Sequence, residues 1–139
     1  MAGEAGRFEV EEVLVENGDL IVLSLGFASA GEPLDVLHIV SGTVLSGRQP
    51  RLVEDELYLE RTDQSLACTG GVDRITCGDG EIIVALTMQA AELLQLSRIT
   101  CFAFAVRPEL YSLAVGQLAA MAEIGRSEIV ISAAESTAV

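Results

Sequence analysis

Apolar and polar residues alternate in short runs along most of the chain, with turn-forming residues between the runs. This is the pattern of strands half-buried in a sheet. The first run is Phe8 to Glu16, FEVEEVLVE. Phe8 and Val10 share one face while Val13 and Val15 fall on the opposite parity, so a bulge near Glu11-Glu12 must restore the phase. Asn17-Gly18 has the chemistry of a type I′ hairpin turn, and LIVLSLGF returns from it as an unbroken apolar run suited to an interior strand. ASAGEPLD reads as a loop in which Pro33 stops regular structure, and VLHIVS reads as the next strand. From Gly42 to Pro50 the composition turns to Gly, Ser, Arg and Gln, which predicts a flexible loop.

The stretch from Leu57 to Thr87 organises the rest, reading as four strands in succession. LYLER puts Leu57 and Leu59 on one face, Tyr58 and Glu60 on the other. Thr62 to Ser65 is a polar bend, SLACT the next strand, and Gly70-Gly71 a tight hairpin into VDRITC. Gly78-Asp79-Gly80 turns again, and EIIVAL is an interior strand. Thr87 then caps a short helix, MQAAELLQL, and SRITCFAFAV follows with bulky Thr100, Phe102, Phe104 and Val106 opposite small Cys101, Ala103 and Ala105. A last helix opens with Pro108 and ends before Gly125, and the small face of the preceding strand is where it is expected to approach. Its stripe of Tyr111, Ala114, Val115, Leu118, Met121 and Ala122 faces the core, with Ser112 and Gly116 in solvent. EIVIS adds an edge strand, and a polar tail runs from about residue 133. The expected fold is α+β: a mostly antiparallel sheet, or meander, with two C-terminal helices packed on one face, in a single domain.

Composition narrows the function. With 21 acidic against 8 basic residues the formal net charge is −13, yet half the residues are apolar, so this is a globular chain and not an acidic tail. Nucleic-acid binding is disfavoured, because phosphate contact needs a basic surface. A basic protein partner is favoured by the same electrostatics. Glu9 and Glu11, and the run Glu54-Asp55-Glu56, are the candidate steering clusters. The N-terminus is acidic and lacks a signal-peptide pattern, and the uncharged runs are too short to span a bilayer. Cys68, Cys77 and Cys101 show no C-x-x-C spacing and lie in predicted strands, so they read as small buried hydrophobes suited to a reducing cytoplasm.

The segment YLERTDQS, followed by IIVALTMQAAELLQL and ITCFAFAV, resembles the immunity protein 10 family of bacterial polymorphic-toxin systems. Tyr58, Glu60, Asp63 and Gln64 carry the motif, and the similarity runs from about Val53 to Ile124. The resemblance implies an α+β fold, no catalysis, no cofactor, and a cognate toxin as partner. Physically, Asp63 and Gln64 sit at a bend where short polar side chains bond nearby backbone, so they are expected to hold the turn and not the toxin.

Residues that carry chemistry are sparse. His38 is the lone histidine, on the parity of Val36 and Val40, with no nucleophile motif beside it, and reads as structural. The cysteine spacings offer no metal cluster, and the glycine pairs match neither G-x-G-x-x-G nor a P-loop. Two classes remain: a cytoplasmic immunity protein that binds a basic toxin, or a small acidic regulatory subunit, including one that forms a homodimer.

Overall fold

The alternation resolves into a nine-stranded sheet in the computed structural model, which describes residues 6–29, 32–42, 57–62, 66–124 and 128–131. In chain order the strands are β1 (Gly6–Asn17), β2 (Leu20–Ser29), β3 (Glu32–Gly42), β4 (Tyr58–Arg61), β5 (Ala67–Thr69), β6 (Val72–Gly78), β7 (Glu81–Leu86), β8 (Ile99–Ala103) and β9 (Ile129–Ile131). Helix α1 (Met88–Leu94) separates β7 from β8, and α2 (Glu109–Glu123) separates β8 from β9. The order across the sheet is β5-β4-β3-β2-β1-β8-β7-β6-β9.

The sheet is mixed, which corrects the expected antiparallel meander: β1 runs parallel to β8, and β6 parallel to β9. The reason lies in β1, which is long enough to serve two partners. Gly6 to Glu9 pair with β8, and Val10 to Asn17 pair with β2, with a register shift between Val10 and Glu12. The bulge predicted from the apolar phase is therefore also where the strand changes neighbours. On either side of that seam Phe8, Phe27 and Phe102 meet, with ring centroids 4.5 to 5.9 Å apart, so both halves of the sheet close on one core.

Gly70-Gly71 is not a hairpin, again a correction. Strand β5 pairs with β4 at one edge, whereas β6 lies between β7 and β9 near the other. The glycines instead let the crossover slip beneath α1: a Cβ on Gly71 would stand 2.3 Å from the Ala90 Cβ and 2.8 Å from the Cys68 Sγ. Gly78-Asp79-Gly80 does form a tight hairpin, with Asp79 and Gly80 both at positive φ as a type I′ turn requires. Pro33 does not stop the chain from being extended, since β3 begins at Glu32 and takes in Asp35.

The Thr87 hydroxyl accepts from the Ala90 amide and caps α1, which rests on β5 and β7. Helix α2 packs on β1, β2 and β9, on the bulky side of β8 and not the small one; Tyr111 meets Phe104 edge to face at 5.4 Å. Burying Phe102 and Phe104 removes far more apolar surface from water than closer approach over alanines would. Leu118 is fully buried, Ser112 and Gly116 are exposed, and Val115 is half-buried. Gln117 takes an inward position instead, donating to the carbonyls of Glu16 and Val22 and to Asn17 Oδ1. Among the described residues no helix is long and apolar enough to cross a membrane.

Candidate functional site

Charge enters this fold at two kinds of place, one buried and one open. The buried one centres on Asp35, which is 2 % exposed on the core side of β3. Arg61, at the end of β4, donates to its Oδ2 from Nε at 3.1 Å and from Nη2 at 2.8 Å. Ser29 donates to the same oxygen, and Thr62 donates to Oδ1. Burial alone would raise the Asp35 carboxyl; the bonds from Arg61, Thr62 and Ser29 outweigh it and hold the group below its ordinary range. The other arm of Arg61 donates from Nη1 to the carbonyls of Leu94 and Gln95. Helix α1 has no basic residue in its last turn, so Arg61 supplies the cation its C-terminus favours. These residues fasten β3, β4 and α1 together.

The open site is the outer face of β1 to β4. Strand register aligns Leu14, Ser24, His38 and Glu60 in one row and Glu16, Val22, Val40 and Tyr58 in the next. Glu12 lies over Gly26 in a third, where a Cβ on Gly26 would come within 3.2 Å of the Glu12 Cβ. The buried sides of α1 and α2 belong to the core, so neither helix rests on this face. His38 Nδ1 is 2.7 Å from Ser24 Oγ, and the Tyr58 hydroxyl donates to Glu60 Oε1 at 2.9 Å. That bond, aided by burial, holds the Tyr58 phenol above its ordinary value. Leu14 is 66 % exposed between inward-facing Val13 and Val15.

Ser24 beside His38 has two parts of an acyl-transfer centre but lacks a third. Ser24 sits in mid-strand between β1 and β3, where ladder bonds occupy the backbone N–H groups, so no donors are aimed at a developing oxyanion. Among the described residues no group of His, Cys, Asp and Glu is arranged to hold a metal ion. Burial pushes the Cys68 and Cys101 thiols up, away from reactive thiolate, and none of the three cysteines is in a disulfide. Cys77 alone is fully buried; Cys68 and Cys101 are half-buried, short of the burial expected for them.

The sequence candidates land unevenly. Glu9 is engaged inside the fold: its Oε2 accepts from the amides of Ala105 and Val106 at 2.6 and 3.1 Å, fixing the turn between β8 and α2. Glu11 is exposed at the bulge. Tyr58 and Glu60 lie on the outer face, opposite in parity to Leu57 and Leu59. Glu54, Asp55, Glu56, Asp63, Gln64, the tail, and residues 43–50 of the expected loop lie outside the described residues. Arg61 and Asp35 were missed, although both carried a signal. Arg61 shares parity with Leu57 and Leu59, and Asp35 with Leu37 and Ile39, so opposite charges occupied two inward-facing positions. No family model matches the chain, and no curated protein or solved structure matches it.

Proposed function

We propose that this chain is a cytoplasmic, non-catalytic immunity protein that binds a basic toxin domain and blocks its working surface. The observation that carries the proposal is charge on a rigid platform. From Glu12 onward every described charged side chain on the outer face of β1 to β4 is a glutamate among apolar and uncharged neighbours, in a protein of net charge −13, while Arg7, before the bulge, is paired with Glu81. Such a surface attracts a cationic protein at long range and excludes nucleic acid. The resemblance of Tyr58, Glu60 and the elements after them to the immunity protein 10 family supplies the biological setting.

Co-expression with the toxin domain encoded beside this gene tests it. The expected result is protection of growth, a stoichiometric complex, and an association rate that falls steeply between low and physiological salt, where the screening length shortens to about 8 Å. Unrelieved toxicity and no complex would sink the proposal. A salt-independent rate would remove the electrostatic part of it.

A further inference from the structure

We infer that the outer face of β1 to β4, continuing over the β1–β2 hairpin tip, is the surface on which a basic protein partner seats, taking that partner to be the toxin domain proposed above. Three features of the surface select this occupant. On its two middle strands lie half-buried Val22, Val36 and Val40, flanked by Leu14, 66 % exposed on β1, and by half-buried Tyr58 on β4. Around that apolar centre the charges are Glu12 and Glu16 on β1 and Glu60 on β4; the one described arginine on this face of the four strands, Arg7, lies before the bulge and is paired with Glu81. Isolated exposed leucines are ordinary, but an apolar centre inside a rim of one charge sign has the anatomy of an interface.

Size extends the surface to the hairpin. Four strands about 4.8 Å apart, with about three outward residues each, make a patch on the order of 300–400 Å². A stable partner covers roughly 800 Å² on each side. The continuation is the tip, where a depression of about 500 Å³ is lined by Glu16, Asn17, Asp19, Leu20 and Val22. A lining that combines the Glu16 carboxylate with the aliphatic carbon of Leu20 and Val22 matches an arginine or lysine, whose head is charged and whose stem is apolar. A second copy of this chain fits badly, because a two-fold contact would bring one acidic rim, Glu12, Glu16 and Glu60, against the same rim on a molecule that also carries −13. The face is built from paired strands, so little ordering is required on binding.

The test compares Leu14→Arg/Glu16→Arg with Glu92→Arg/Glu123→Arg, the latter pair exposed on the helices. Both should keep the wild-type unfolding midpoint; Leu14→Ser/Glu16→Gln substitutes if the first variant is unstable. With the purified toxin domain encoded beside the gene, the face variant should weaken Kd at least 30-fold and the helix variant less than threefold. Equal losses, or none, overturn the inference while leaving the immunity role intact. If the wild-type chain fails to bind that domain, the immunity role falls and the face is judged separately, with a peptide of alternating arginine and leucine followed by amide chemical shifts. Shifts at 12–16, 22–24 and 36–40 then support it; shifts elsewhere, or none, overturn it. A wild-type dimer that Leu14→Arg dissolves also overturns it, in favour of a second copy.

Discussion

Arg61–Asp35 and Arg7–Glu81 join the same chemical groups at nearly the same separation, 2.8 and 3.0 Å, and do different work. Arg61 and Asp35 side chains are 13 % and 3 % exposed, while Arg7 and Glu81 are 58 % and 33 % exposed. Around the first pair Ser29, Thr62 and the end of α1 engage most of the remaining donors and acceptors. Around the second, besides Glu81 itself, Arg7 Nη1 also lies 3.5 Å from the Cys101 Sγ. Distance therefore says little about what an ion pair contributes. What separates the two is how much water each has surrendered, and what the protein supplies in its place.

The comparison can be broken most forcefully at Arg61. Arg61→Met leaves the Asp35 carboxylate buried without its cation and should destabilise by about 3–5 kcal/mol in urea unfolding. The double variant Asp35→Leu/Arg61→Met should lose distinctly less than the two singles added together. Strict additivity would show the groups to be uncoupled and the comparison to be empty. Next comes Gly71→Ala, which presses on α1 from its other end through Ala90 and should cost about 1–3 kcal/mol. A neutral result would mean that α1 moves freely and that Arg61 has little to hold.

Acid sharpens the contrast on a smaller scale. The Asp35 carboxyl is held below its ordinary 3.8, so its contribution is complete above that value and is lost as pH falls through the folded-state value beneath it. Unfolding free energy should therefore decline in that window with a slope of at most about 1.4 kcal/mol per pH unit from this group, and Asp35→Asn should flatten that leg. An identical acid limb in Asp35→Asn would assign the loss to other carboxylates. The smallest effect is expected at the open pair: Arg7→Ala should leave the unfolding midpoint unchanged within error, at low salt and high salt alike. A clear drop at low salt alone would show that exposure had been overvalued.

Local features of this fold were legible in the chain, and distant ones were not. The Glu11 bulge, the type I′ turn at Asp79-Gly80, the Thr87 cap and the inward setting of Leu118 each depend on a few neighbouring residues whose chemistry is visible in sequence. The parallel pairs β1–β8 and β6–β9 have no such signal, because parallel partners are not joined by a turn and the residues between them carry no mark of register. The same gap explains the misread glycines. Gly70-Gly71 suits a hairpin in isolation, and only the presence of Ala90 overhead reveals the real requirement. For the site, parity put Tyr58 and Glu60 opposite Leu57 and Leu59, whereas Asp35 read as part of a loop and Arg61 was passed over, although each shares parity with inward-facing neighbours. What parity could not supply was that Leu37 opposes Arg61 and Phe27 opposes Asp35, which brings the two charges within reach across the strands.

The strand shared by both halves also sets an order of events for the growing chain. Gly6 and Thr100 are neighbours in the finished sheet, so the first strand cannot complete its pairing until β8, far along the chain, has left the ribosome. Until then β1, β2 and β3 can zip together through short connections, but Phe8 has no Phe102 to lie against. The closing of a loop of that length is an entropic toll met late and all at once, which places this step at the slow end of folding. Pulse-labelled hydrogen exchange should find the β1–β2 pairing protected early and the β1–β8 pairing protected last. Simultaneous protection would mean that the two halves collapse together around the aromatic seam.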